Sequence, residues 1–367
     1  MFHILIYKLS YLLINIFFNI NIMQKICASL TRKLTNKCFK RNQAYNSIDN
    51  KIHILQINDT NEYLPQGNYQ EMPNYDLLYS FLQLPLVKTY INEIFLPNKT
   101  IKQFHYEKIK GIFKQIKPIL DSLFKRLGIT YKIPIKLFKV RLITYNLDCK
   151  PSTEEDLDMY IPIFFMEWCI YPKSFIKKSK LKQVIFVHEI QFSSPYFKQY
   201  RAGCPETNQI HSLILSTLER NFLYIRIVLH HELFHYVDWV DDFSYADPEW
   251  KKLNEKGFKY GKGGEFEREW VQLEPNVKGF INHYSTSALE EDRAEIYQYL
   301  IGCPDEAVNN KDEIVRKKVV RIRDFIMGFD KKGIGNKKNN FFANLMDYRE
   351  RFKYKEAVFQ GNVHEVI

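Results

Sequence analysis

Residues 229–239 read LHHELFHYVDW, and no other stretch constrains the fold so tightly. Phe222, Ile225, Leu229, Leu233, Tyr236 and Val240 recur at steps of three and four, the spacing of one face of an α-helix. That stripe predicts a core helix over 218–240, opened by a capping box between Ser216 and Glu219. On another face His231 and His235 stand one turn apart, so their imidazoles can converge on one ion. A core helix that carries two such groups needs a second element to face them. Another part of the chain must therefore supply a further ligand.

Glu232 follows the first of these histidines, completing an HExxH arrangement in which an acid can hold a water beside a bound metal. Two third-ligand candidates compete. Asp241 lies six residues after His235, but reaching back would require a glycine three residues after His235 to break the helix. That position is Asp238, so Asp241 points away. The second candidate lies in YSTSALEEDRAEIYQYLIG, which predicts a helix over 288–301 with a capping box at Ser287 and Glu290 and a stop at Gly302 and Pro304. Glu291 and Glu295 share a face one turn apart. Glu291 can reach a metal, and Glu295 can accept a hydrogen bond from the outer nitrogen of a liganding histidine. Glu290 and Asp292 suit the first turn of a helix through its dipole alone. Asp238 reads either as a supporting acid behind a ligand or as a solvent-facing one.

HELFHYVDW followed by Tyr284 and by Glu291-Asp292-Arg293-Ala294-Glu295 resembles the anthrax lethal factor-type zinc peptidases and related bacterial zinc peptidases, members of the gluzincin group. The resemblance covers roughly residues 183–303. In that family the first Glu of an E-x-x-A-E run is the third ligand, and a Tyr seven residues earlier lies over the metal. The resemblance thus implies a zincin-like fold and a Zn²⁺ ion held by His231, His235 and Glu291. It also implies Glu232 as general base and Tyr284 as stabiliser of the oxyanion, with His283 a rival for that last role. The implied activity is that of a zinc-dependent metalloendopeptidase acting on a peptide or protein substrate. The alternative is a non-catalytic zinc-binding or protein-interaction module. A strand over 209–217 would offer an edge for extended substrate.

The rest of the chain is read by composition and spacing. The net charge of +11 suggests nucleic acid, but residues 1–48 hold seven basic residues and no acid, leaving only +4 for residues 49–367. No nucleic-acid partner is expected. Residues 1–48 read as a targeting or disordered segment. The apolar run 9–23 fits a signal peptide better than a stable membrane span, and a start at Met23 would read as a mitochondrial presequence. The triplets at Asn58 and Asn98 fit the secretory reading. Residues 49–130 read as a helical region behind a linker (49–75), with helices over 76–95 and 102–127. Residues 131–303 read as the catalytic domain, with strand-like runs over 134–146, 160–171, 183–190 and 209–217. Residues 304–367 form a helical extension. Helices, then strands, then helices predict an α+β fold. Cys149, Cys169, Cys204 and Cys303 permit two disulfides or none, and there is no CxxC pair.

Overall fold

The strand QVIFV is apolar at four consecutive positions, so an edge exposed to water on one face does not suit it. In the computed structural model this strand lies inside a sheet covered on both faces. The structure describes residues 68–95, 106–141, 145–193, 198–207, 210–242, 245, 247–264 and 277–352. The segment 1–48 and the Asn58 and Asn98 triplets fall outside them.

The first sheet contains β1 (Thr130–Lys132), β4 (Gln183–Val187), β8 (Ser212–Ser216) and β7 (Gly203–Glu206), in the order β1-β4-β8-β7. β1 and β8 run parallel to β4, and β7 runs antiparallel to β8, pairing Gly203 with Leu215. The second sheet is antiparallel throughout, in the order β2 (Phe138–Arg141), β3 (Asn146–Lys150), β5 (Glu189–Ser193) and β6 (Lys198–Arg201). Alternate residues of a strand point to opposite faces. Val184, Phe186, Leu213 and Leu215 accordingly enter the main core with the helices. Ile185, Val187 and Ile214 face Leu147, Cys149, Ile190 and Phe192 in a smaller core between the sheets.

Helices fill the other face. They are α1 (Tyr75–Gln83), α2 (Pro85–Phe95), α3 (Ile112–Leu127), α4 (Glu154–Trp168), α5 (Lys173–Lys178), α6 (Phe222–Asp242), α7 (Pro248–Lys251), α8 (Leu289–Gly302), α9 (Pro304–Val308), α10 (Glu313–Phe329) and α11 (Phe341–Arg351). The fold is α+β, with two small sheets and many helices. Ile112, Ile116, Leu120 and Leu123 form the buried stripe of α3, and Gly128 ends it in the left-handed region at φ 77°. Asp247 caps α7 ahead of Pro248, accepting from the Trp250 amide at 3.0 Å. Val315, Val319, Ile322 and Ile326 of α10 and Leu345 and Tyr348 of α11 join the same core as α3 and α4.

Several expectations need correction. Residues 160–171 are not a strand. Most of them belong to α4, which is buried on every side from Asp156 to Trp168. A helix with no polar face loses the 3.6-residue period that would reveal it, and its β-branched and aromatic residues then read as strand. The expected 76–95 helix is split at Leu84, whose extended backbone precedes Pro85, a residue without an N–H to continue the ladder. The end of the expected linker is docked. Asn68 N donates to Asn344 Oδ1 at 2.8 Å, Tyr69 N to Asp347 Oδ2 at 2.7 Å, and the buried Asn74 amide to the carbonyls of Cys169 and Tyr171. The strand expected over 209–217 is not an edge. β8 lies between β4 and β7, and β7 is the edge strand on that side of the sheet. All four cysteines are free thiols, and Cys149, Cys169 and Cys204 are buried. Among the described residues, no helix is long and apolar enough to cross a membrane.

Candidate metal centre

α6 begins where Asn221 Oδ1 accepts from the Tyr224 amide at 3.1 Å. The expected capping box does not form, because Ser216 ends β8 and its hydroxyl donates to His188 O at 2.8 Å. α8 likewise starts without a side-chain cap. Its first turn carries Glu290, Glu291 and Asp292, which suit the positive end of the helix dipole. These two helices hold the histidines and the Glu291–Glu295 pair against each other.

His231 Nε2 lies 3.1 Å from His235 Nε2 and 3.1 Å from Glu291 Oε2. His235 Nε2 lies 3.4 Å from the same Glu291 oxygen. Three donor atoms, two from buried histidines and one from the half-buried Glu291, thus form a small triangle. Two imidazole lone pairs cannot face each other at this range without a proton or a cation between them. Ligand atoms on a tetrahedral zinc with bonds of about 2.0–2.1 Å stand about 3.3 Å apart. The triangle matches that spacing, and two nitrogens with one carboxylate are a ligand set that zinc accepts. The residues therefore fit the ion.

The surrounding groups favour positive charge at this point. Burial alone would lower the pKa of His231, but Glu291 and Glu295 outweigh it and hold it well above the ordinary imidazole value. Burial would raise Glu291, but His235 and His231 hold it well below the usual carboxylate range. Glu295 Oε1 lies 2.9 Å from His231 Nδ1, the outer nitrogen of that ring. Glu295 is itself held by Asn282 and by Gln298 Nε2 at 2.5 Å. Such a carboxylate fixes both the tautomer and the orientation of the ring.

Glu232 faces away from α8 toward β7. Gly203 lies against it so closely that a Cβ there would stand 2.5 Å from Glu232 Cγ. One turn later Tyr236 donates its hydroxyl hydrogen bond to Glu206 O, so the same face of α6 grips both ends of the edge strand. Burial pushes Glu232 above the usual carboxylate range, against the pull of His231 and His235. On the other side, the Tyr284 ring stands 6.0 Å from the His231 ring. It sits inside a turn in which Ser285 N donates to Asn282 Oδ1 at 2.9 Å. Burial, reinforced by Glu291, keeps the Tyr284 phenol protonated. Gly264 closes this side, since a Cβ on it would lie 2.4 Å from both Glu291 Oε1 and the Tyr284 hydroxyl.

Asp238 is buried rather than solvent-facing, and Arg293 Nη1 of α8 pairs with it at 2.6 Å. Asp241 is exposed. Asp292 does more than suit a helix dipole. It is fully buried and accepts from Lys318 Nζ at 2.7 Å, Trp250 Nε1 at 2.7 Å and Tyr260 OH at 2.6 Å. Within the run 291–295, Glu291 and Glu295 both meet His231 while Asp292 and Arg293 pair with Lys318 and Asp238, and those contacts lock the rotation of α8 that aims Glu291 at the histidines.

His230 also escaped the sequence reading. It points away from His231, into a buried network behind α6. Its Nε2 lies 2.9 Å from Glu167 Oε2 and its Nδ1 2.6 Å from the Tyr171 hydroxyl, which accepts from Tyr297 OH at 3.1 Å. The geometry suits a neutral ring with its proton on Nε2, and burial lowers its pKa to about 4. Arg349 clamps Glu167 with two hydrogen bonds of 2.9 and 2.6 Å. Burial would raise the Glu167 pKa, but Arg349 and Arg226 overcome it and keep the carboxylate charged.

Against known proteins, no family model and no curated sequence matches the chain. Among solved structures, one from Bacteroides caccae described as a "putative zinc-binding metallo-peptidase" aligns with a TM-score of 0.38 and 12% identity, covering 71% of this chain and 98% of that one. At that distance the neighbour lends no weight to a functional assignment, which stands on side-chain geometry.

Proposed function

We propose that the chain is a zinc-dependent metalloendopeptidase with a zincin-like arrangement of sheet, HExxH helix and glutamate-bearing helix. The observation that carries this reading is the triangle of His231, His235 and Glu291, with donor atoms 3.1–3.4 Å apart. These three residues would hold the ion, and Glu295 would orient His231. Zinc, when bound, polarises a carbonyl and lowers the pKa of water toward neutrality.

The remaining steps belong to the chain itself. Glu232 takes the proton of the attacking water and returns it to the leaving amine, a role suited to a carboxylate whose pKa burial has raised. Tyr284 donates a hydrogen bond to the oxygen on which charge develops, and its high pKa keeps the proton on the phenol until then. The edge strand β7 offers main-chain groups to an extended peptide, and Gly203 brings that strand against Glu232. The alternative, a zinc-binding or interaction module without catalysis, gives no reason for a buried Glu232 packed on the edge strand.

The test is Glu232→Gln in the full chain. The variant should keep one zinc per chain by metal analysis and lose chelator-sensitive cleavage of a denatured protein substrate. Substantial residual turnover would remove Glu232 from the mechanism. A wild-type protein that binds zinc and cleaves nothing would leave the module reading.

A further inference from the structure

Among the described residues, arginine side chains have oxygen partners. Arg126 meets Asp76, Arg141 meets Asp148, Arg220 meets Asp156, Arg293 meets Asp238 and Arg321 meets Asp247. Arg201 is different. Among the described residues no hydrogen-bond acceptor and no carboxylate engages its side chain, and its guanidinium lies over the face of the Phe192 ring at 5.3 Å. A half-buried guanidinium without an anion is costly unless a ligand supplies one.

Its position suggests what that ligand approaches. Arg201 ends β6 directly opposite Ile190, so the two share a sheet face, and Phe192 lies on that face as well. Ile190 and Phe192 line the core between the two sheets, which places Arg201 on the side turned toward the first sheet. Two residues later the chain has become the edge strand, with Gly203 against Glu232. Ala202 between them is tied to β8 by its carbonyl, which accepts from Ser216 N at 2.9 Å. Arg201 therefore sits two residues ahead of the edge along which a peptide would lie, on the face turned toward the first sheet.

We propose that Arg201 is a specificity-determining residue that binds a carboxylate of the peptide substrate next to the scissile bond. This rests on the peptidase reading and adds a substrate class, peptides with an anion beside the cleavage point. That carboxylate is either an acidic side chain or a free chain terminus. Both present the same planar pair of oxygens, which a guanidinium meets with paired hydrogen bonds.

The experiment uses the full-length, zinc-loaded Glu232→Gln protein, so that binding is read without turnover. Fluorescence anisotropy compares matched peptides: Glu against Gln at each position of a labelled decapeptide, and free against amidated C-terminus. The expected result is that one arm shows an affinity difference of about 10- to 100-fold, as for hydrogen bonds to a charged group. Adding Arg201→Gln should collapse that ratio toward one, and Arg201→Lys should restore part of it. A purely structural role would weaken both members of a pair equally and leave the ratio unchanged. Sensitivity in the side-chain arm makes the ligand an acidic residue, and sensitivity in the terminal arm makes it the chain end. No ratio in either arm, no binding of any peptide, or a ratio that survives Arg201→Gln overturns the proposal. Cleavage by the wild-type protein is measured in parallel. Discrimination in binding without any chelator-sensitive cleavage would sink the peptidase reading and leave the anion site standing.

Discussion

Gly203→Ala probes whether the edge strand and Glu232, the proposed general base, touch as described. The added methyl would lie 2.5 Å from Glu232 Cγ, 2.7 Å from Cδ and 2.9 Å from Oε1. Carbon atoms at optimal separation stand about 3.5–4.0 Å apart, so something must move by about 1 Å. β7 cannot easily yield, because Ser216 N holds Ala202 O, the ladder to β8 holds Gly203 to Glu206, and Tyr236 holds Glu206 O. Glu232 is the softer partner and swings off its position beside the proposed metal ligands. A displacement of about 1 Å in a reacting group costs roughly 100-fold in rate, or about 2.7 kcal/mol of barrier. Overpacking a dense site also costs about 1–3 kcal/mol of stability. The assay pairs kcat/KM on a chelator-sensitive peptide substrate with zinc stoichiometry and a thermal melt. The expected result is full zinc content, a lower melting temperature with a retained cooperative transition, and a turnover loss of about two orders of magnitude. A folded Gly203→Ala protein with wild-type turnover would refute the reasoning, since Glu232 could not then be wedged against β7.

Glu291→Ala should sharply weaken zinc binding by equilibrium dialysis, and unchanged stoichiometry would reassign the third ligand. Tyr284→Phe should lower kcat by roughly 10²- to 10³-fold, as for loss of one oxyanion donor, with metal content unchanged; wild-type rates would make Tyr284 a packing residue. Arg349→Met leaves the buried Glu167 short of its main counter-ion and should cost about 3–5 kcal/mol in denaturant unfolding. A loss below about 1 kcal/mol would mean that Arg226 and His230 suffice to hold the carboxylate.

How much of this was legible in the chain depended on the range of the signal. His231, Glu232 and His235 are one turn of one helix, so their spacing alone brings them together. Glu291, Glu295 and Tyr284 came from offsets within a second short stretch, and the structure brings them to the same point. Strand order is set by pairings far apart in sequence, which is why β8 was taken for the edge that β7 occupies. Burial on every side hid α4, because a helix without a polar face has no period to detect. Asp292 and Arg293 sit among acids that a helix dipole already explains, so their partners Lys318 and Asp238 could not be read from spacing. Gly203 and Gly264 carry no chemistry of their own, and only coordinates reveal that their missing side chains leave room for Glu232, Glu291 and Tyr284. Arg201 had one faint signal, a basic residue two positions ahead of a strand that begins with a glycine.

The clamp on Glu167 has a consequence for timing. Its carboxylate is made early, and Arg349 follows 182 residues later in the chain. A ribosome delivers residues in order at about 5–20 per second, so a half-made molecule holds the His230 helix against an acid that still lacks its principal counter-charge. The buried network behind α6 is therefore completed only when α11 docks and brings Arg349 to Glu167.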